Sequence, residues 1–546
     1  MSIEYFVEGD IREHFNGDIK VYTKGNIVYS SQKSVQMSSE TGITYGTPDK
    51  INENDSPANE IDVVLNLFFD GTQNNKNNTQ LGEKSSLSNG DDDSYTNDYS
   101  NVAKGYDAVD PNADRQVKVY IEGIGTVDSK RDNLSWAGII PNNIGSPMGE
   151  GDRGIEAKVT RGCIKAAQEL FNKFETTEIS VLKINVFGFS RGAAAARHFV
   201  HICHKPALVM IVDRYNMRVL PPKDYEHPEN ETKTETSFLL DKHEKDFTDR
   251  YGYFGACLLK SGVKVKEIRF NFAGLYDTVA SYGLNHRGNW FVKNDSEQLH
   301  LDAVKNCRVV VQFATQEEFR ENFSLTNVKK SGIRGIDLIL PGVHSDIGGG
   351  YKNNVRENVL IYKGTKENCE KYKKILIEEG WYKDSKEELE IEERHTRDYS
   401  TYKLIGKRVL SNHYSRIPLL RMIEYSEQFD VVYQTSMIER FQITDPFIEV
   451  INTSLSRYLN ICHSLRNSYI YHIRTVKNEE SLKIMNDKYI SELWAMPYTS
   501  FIDTEHLKKL RNKYLHWSAN GYKTGMGARV DKPLPYTERT RTNLDG

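Results

Sequence analysis

Residues 181–197, VLKINVFGFSRGAAAAR, constrain the fold of this chain more than any other segment. An apolar run (Val181, Leu182, Ile184, Val186, Phe187) leads into Gly188-Phe189-Ser190-Arg191-Gly192, and four alanines follow at 193–196. The pattern reads as a strand, a tight turn carrying a serine, and a helix begun by the best helix former. A serine at such a turn takes a strained backbone conformation, so the residues two positions away on either side must be small. Gly188 and Gly192 meet that demand, and the alanines let the helix pack close under the sheet. The context of strand before and helix after makes G-x-S-x-G the nucleophile elbow of an α/β-hydrolase. The plainer alternative is a glycine-rich turn that binds phosphate or nothing.

Segments 61–69 (IDVVLNLFF), 117–121, 265–272, 308–314 and 336–340 read as further strands. Residues 154–174 read as a helix, with Ile155, Val159, Cys163 and Leu170 at helical spacing. Strands alternating with helices predict an α/β fold, a mainly parallel sheet with helices on both faces. Three regions are expected. Residues 1–60 form a leader or adaptor segment. Residues 61–355 form the catalytic domain, with an insertion at about 205–262. Residues 356–546 form a mostly helical region with a loose tail after Gly521. Within that region Asp445 caps and Pro446 opens a helix whose Phe447, Ile451, Leu455, Leu459 and Cys462 share one face. The stretch 73–101, rich in Asn, Ser and Asp, is expected to be a mobile loop.

A net charge of −4 gives no electrostatic basis for a nucleic-acid partner. No apolar run is long enough to span a membrane. The start, MSIEYFVEGDIREHF, lacks the basic and apolar segments of a secretory signal, so export would need another machine. The six cysteines show no C-x-x-C pair and read as reduced, mostly buried thiols rather than metal ligands.

A serine hydroxyl needs a base to take its proton, and the base needs an acid to orient it. In the α/β-hydrolase order the acid follows the serine and the histidine comes last. Asp277, just past the strand at 265–272, is the expected acid; Glu317 and Glu318 are less favoured. His344, in the glycine-rich segment after the strand at 336–340, is the expected base. His198, His201 and His204 lie on the helix after Ser190, and His286 and His300 have weaker context. The oxyanion needs two backbone N–H donors. Arg191, after the nucleophile, is one; Gly71 or Thr72, in the Asp70-Gly71-Thr72 turn after the first strand, is the other. The same turn fits aspartate-nucleophile phosphatases, but Phe68 stands where those enzymes carry a second acid.

The motifs FFDGTQNN (68–75), GIGT (123–126), GFSRGAAAAR (188–197), FAGLYDTVAS (272–281) and LPGVHSDIGGGY (340–351) occur in this order. Together they resemble the catalytic domain of type VI secretion lipase effectors of the first class, over about residues 60–355. The resemblance implies an α/β-hydrolase fold, phospholipase activity, a triad of Ser190, Asp277 and His344, and no cofactor. It further implies delivery on a secretion spike or tube protein into the periplasm of a target cell, and an immunity protein in the producer; with no membrane-spanning run, contact with the membrane is expected to be peripheral. One departure is Gln312, which stands where many members carry a histidine.

The leading expectation is a serine esterase acting on phospholipid acyl esters, of the phospholipase A type. Two other readings stay open: a non-catalytic binding protein that keeps the hydrolase scaffold, and a metal-dependent hydrolase using Asp70, His344 and Asp346.

Overall fold

A strand buried on both faces must be apolar almost throughout, and Ile61–Phe69 (β1) is buried from Val63 onward. The computed structural model describes residues 61–84, 93–130, 151–175, 177–280, 298–395, 400–473, 476, 478–522, 527–529 and 532–546. The expected leader at 1–60 lies outside the described residues, as does His286.

After β1 come α1 (Lys76–Lys84), α2 (Asp93–Thr96), α3 (Asn101–Ala108), β2 (Gln116–Ile121), α4 (Ile155–Phe174), β3 (Ile179–Phe189) and α5 (Arg191–His204). A small antiparallel sheet follows, built from β4 (Val209–Ile211), β5 (Asn216–Val219) and β6 (Phe238–Asp241). Then come α6 (Lys245–Ser261), β7 (Val265–Tyr276), β8 (Val309–Ala314), β9 (Leu325–Thr326), β10 (Gly335–Ile339) and the short α7 (His344–Gly348). The remainder runs β11 (Val355–Gly364), α8 (Lys366–Glu378), β12 (Leu389–His395), β13 (Ser400–Leu410), α9 (Arg416–Glu427), α10 (Thr435–Arg440), α11 (Pro446–Ile473), α12 (Glu479–Trp494), α13 (Thr504–Lys513) and β14 (Asn543–Leu544).

The central sheet has six strands in the order β10-β8-β7-β3-β1-β2, and every pair is parallel. The fold is the α/β-hydrolase-like one expected from the alternation. The order reverses between β1 and β3: β1 and β2 lie to one side, β3, β7, β8 and β10 to the other. In open α/β sheets the crevice at the carboxyl ends of the strands beside that point is where ligands bind.

Alternation along β3 sends Leu182, Ile184 and Val186 to one face, where α4 and α5 pack through Ala166, Ala167 and the alanines 193–196. Phe187 and Phe189 face the other way, into a core shared with Phe68, Phe313, Trp381, Tyr458 and Leu459. The region after residue 356 therefore covers the second face of the same sheet, which needs a layer on both sides to be buried. Asp445 Oδ1 accepts the N–H groups of Phe447 (2.9 Å) and Ile448 (3.3 Å), so α11 is capped as its sequence implies.

Three expectations need correction. The stretch 73–101 is not simply loop, because Lys76–Lys84 is helical and Asn75 and Asn78 are buried, hydrogen-bonded to Thr126, Ser94 and Val127. The C-terminal region is helical as expected, and it also holds an antiparallel sheet, β11-β13-β12, whose charged outer positions hide its strand alternation. Within the insertion at about 205–262, α6 is part of the main core through Phe254, Ala256 and Leu258. Among the described residues after Gly521, the last part of the tail is pinned rather than loose: Arg539 and Arg541 are buried, and β14 pairs in parallel with β9. A composition of Gly, Arg and Thr does not reveal carboxylates waiting elsewhere in the fold.

Candidate active site

Ser190 ends β3 and caps α5 with φ 58° and ψ −127°, a region that costs a non-glycine residue free energy and persists only where surrounding structure holds it. Here the Ser190 N–H donates to the Tyr276 carbonyl (3.0 Å), and the Ser190 carbonyl accepts from Val279 N–H (3.3 Å). These two bonds tie the serine backbone to both sides of Asp277. Asp277 has a positive φ of its own, 46°, at the carboxyl end of β7, the neighbour of β3. Gly188 and Gly192 admit the turn: a Cβ on Gly188 would stand 2.5 Å from the Cα of Ala193.

His344 opens α7 just beyond β10. Its Nδ1 donates to Asp277 Oδ2 at 2.5 Å, a charge-assisted bond between two buried side chains. The imidazole packs on the ring of Phe189, the residue before Ser190 (4.6 Å between centroids), and edge-on to Phe323 (5.1 Å). Serine, aspartate and histidine thus converge on one sheet edge, each from the end of a different strand. Ser190 and His344 are 3% exposed and Asp277 fully buried.

Electrostatics favour a neutral histidine beside an ionised aspartate. Burial pushes the His344 imidazole below its ordinary value, against the pull of the Asp277 bond and charge. Burial alone would raise the Asp277 carboxyl, but the Arg541 charge and the bonds from His344 and Arg541 bring it below the ordinary value. Arg541 has no sequence signal beyond its place in an arginine-rich tail. It reaches Asp277 with two parallel bonds, Nη1 to Oδ1 at 2.7 Å and Nη2 to Oδ2 at 2.9 Å.

The less favoured acids brace the histidine segment. Glu317 accepts Gly342 N–H (2.7 Å) and pairs with Arg511 of α13. Glu318 accepts His344 N–H (3.2 Å) while its other bonds go to Arg320 and Ser518. Gln312 sits on β8 behind the Asp277-Thr278 turn. Its Oε1 accepts from the Thr278 N–H and hydroxyl, and its Nε2 donates to Asp337 (2.8 Å) and the Thr326 carbonyl (3.1 Å). His198 Nδ1 donates to the Leu299 carbonyl (2.8 Å), His204 Nδ1 donates to that of Val200 (2.7 Å), and His201 stacks between His198 and His300. None of them bonds to Asp277.

The early turn is organised around Asp70. Gly71 N–H donates to its own neighbour, Asp70 Oδ1, at 2.7 Å and is therefore committed. Asp70 is buried and also accepts from Ser100 Oγ and Tyr120 OH, each at 2.6 Å; burial pushes its carboxyl up to about 6. Thr72 Oγ1 is buried with no hydrogen-bond partner among the described residues. Arg191 and Gly192 begin α5, where helix N–H groups have no intrahelical acceptor.

Asp70, His344 and Asp346 do not meet. Asp346 is engaged by His516 Nδ1 (2.7 Å) and Val343 N–H (3.0 Å), and among the described residues no group of three or more His, Cys, Asp or Glu could hold a metal ion. All six cysteines are buried and unpaired. No described helix is long and apolar enough to cross a membrane.

Residues 64–370 match the family model of the type VI secretion (T6SS) phospholipase effector Tle1-like catalytic domain. No curated protein matches the chain. A solved structure described as the Tle1 effector bound to the VgrG spike from the type 6 secretion system superposes with a TM-score of 0.52 at 18% identity, covering 94% of this chain and 99% of that one. An uncharacterized protein from Pseudomonas aeruginosa gives a TM-score of 0.34 at 15% identity, over 84% of this chain and 65% of that one.

Proposed function

The chain belongs to the Tle1-like phospholipase effector family of type VI secretion, and from that premise we propose that it is a serine esterase cleaving acyl esters of phospholipids, of the phospholipase A type. The observation that carries this reading is the bond from His344 Nδ1 to Asp277 Oδ2, made against the residue that precedes Ser190 at a strained elbow.

In this mechanism His344 Nε2 takes the hydroxyl proton as Ser190 Oγ attacks the ester carbonyl carbon. Asp277 holds the imidazolium that forms. The Arg191 N–H and a donor of Thr72, in place of Gly71, hold the oxyanion. The C–O bond to the glycerol breaks, and His344 returns its proton to the departing alcohol, a lysophospholipid. Water then adds to the acyl carbon with His344 again as base, the bond to Ser190 Oγ breaks, the fatty acid leaves, and His344 returns the proton to Ser190 Oγ. The residues need no cofactor for these steps.

The solved relative was captured on a spike protein; for this chain a spike or tube partner, an antibacterial role in the target periplasm, peripheral contact with the membrane surface and a neutralising immunity protein belong to the same proposal. The direct test compares wild type with Ser190→Ala for fatty-acid release from phospholipid vesicles and for labelling by a fluorophosphonate probe. Release and labelling by wild type alone support the mechanism. Equal release by both proteins sinks it, and a wild type that neither labels nor hydrolyses points to the binding-protein reading.

A further inference from the structure

The geometry points to Arg541 as a positioning residue of the catalytic site: by clamping the Asp277 carboxylate against His344, it makes activity depend on the β14 segment being docked on β9. The inference rests on the serine-esterase reading of Ser190, Asp277 and His344.

Both carboxylate oxygens of Asp277 are doubly engaged. Oδ1 accepts from Arg541 Nη1 (2.7 Å) and from Thr315 N–H (3.1 Å). Oδ2 accepts from Arg541 Nη2 (2.9 Å) and from His344 Nδ1 (2.5 Å). With two donors on each oxygen the carboxylate has little freedom to rotate, so the plane it offers to His344 is set by the guanidinium fork. The fork is itself fixed. Arg541 Nε donates to the Phe323 carbonyl (2.7 Å), Nη1 donates also to the Thr315 carbonyl (2.8 Å), and the side chain is fully buried.

What brings Arg541 there is the short parallel ladder behind the site. Leu325 N–H donates to the Thr542 carbonyl and Asn327 N–H to that of Leu544, each at 2.9 Å, and Asn327 Nδ2 donates to Asp545 at 2.8 Å. Strand β9 is joined in turn to the acid turn, since Thr326 N–H donates to the Thr278 carbonyl at 2.9 Å. Tail, strand and catalytic aspartate form one connected unit.

The clamp has an electrostatic consequence. A carboxylate already neutralised by a guanidinium attracts an imidazolium less than a bare one. Arg541 therefore trades some basicity of His344 for a fixed, ionised Asp277, and its removal changes the pH profile as well as the rate.

The test uses full-length wild type, Arg541→Gln, Arg541→Lys and Arg541→Ala on a soluble short-chain acyl ester, with kcat and KM followed over about pH 5 to 9 and folding followed by thermal melting. We expect Arg541→Gln to lower kcat about 100-fold with KM within about threefold, and to move the acidic limb of kcat/KM up by about half a pH unit or more. Lys should retain more activity than Gln, and free guanidinium should restore Arg541→Ala about fivefold or more. A folded Arg541→Gln with kcat within about twofold of wild type and an unmoved limb overturns the assignment. So does a loss of rate that only tracks loss of folded protein, with no response of Arg541→Ala to guanidinium. Fluorophosphonate labelling separates the two levels: an unlabelled, inactive wild type removes the serine-esterase reading and this inference with it. A labelled wild type matched in labelling rate by Arg541→Gln removes this inference alone.

Discussion

Gly192 lies so close to the end of β1 that a Cβ on it would stand 2.1 Å from the Asp70 carbonyl oxygen and 2.3 Å from that of Phe69. Both neighbours are backbone atoms at the buried end of β1, so nothing flexible can yield. Gly192→Ala should therefore destabilise the protein by about 3 kcal/mol or more, as overpacking in a rigid core does. Thermal melting with an esterase assay checks this; an unchanged midpoint would show that the elbow is looser than its contacts imply.

Asp277→Asn should lower kcat about 10³- to 10⁴-fold, because an amide favours the wrong tautomer of the imidazole. It should also destabilise the fold by about 3 to 5 kcal/mol, since Arg541 is left as a buried charge without its counter-charge. Adding Arg541→Gln to Asp277→Asn should cost less than the sum of the two single changes. Denaturant unfolding of the four proteins in the cycle gives the coupling, and simple additivity would contradict a direct pairing.

Because burial lowers the His344 value, the imidazole is neutral and able to accept a proton at a pH below its ordinary 6.5. The acidic limb of kcat/KM for wild type should accordingly reach half its plateau below pH 6.5. A limb centred above that pH would mean that the Asp277 charge, rather than burial, dominates the histidine.

Asp70 gives stability the opposite dependence on pH from that of a salt-bridged carboxylate. Its carboxyl is pushed by burial from 3.8 up to about 6, so the folded protein keeps a proton that the unfolded chain has lost. Its contribution is fully present below pH 3.8 and disappears as pH rises through about 6, on the order of 3 kcal/mol. Asp70→Asn should flatten the stability profile between those values. Unfolding measured at pH 4 and pH 6.5 in both proteins decides it.

Gln312→Ala should cost about 2 to 3 kcal/mol of stability by stranding the buried Thr278 hydroxyl and Asp337 carboxyl. It should leave the pH dependence of kcat/KM unchanged, because Gln312 braces the acid turn without touching His344. A displaced acidic limb in this variant would place Gln312 nearer the proton transfer than its bonds suggest.

Much of the fold and part of the site could be read from the chain itself. The elbow, the parallel alternation and the Ser190, Asp277, His344 order rest on local requirements: apolar runs for buried strands, small residues around a strained serine, glycines at the turn before a histidine. Such requirements are met within a few residues of the position they serve. The strands β11 to β13 escaped because their outer positions are charged, and helix α1 because its asparagines find buried partners only in the folded chain. For a related reason no motif shows that the Gly71 N–H is bound to the Asp70 carboxylate.

The chain's local patterns, then, were enough to place a serine at an elbow and an aspartate and a histidine after it, in the order of the proposed triad. Tertiary structure alone decided which groups surround them. Glu317 and Glu318 brace a histidine they were candidates to serve as acids, and Arg541 clamps Asp277 from 264 positions away. The physical reason is that a buried charge is tolerable only beside its partner, and the partner is chosen by the folding of the whole chain rather than by any neighbouring residue.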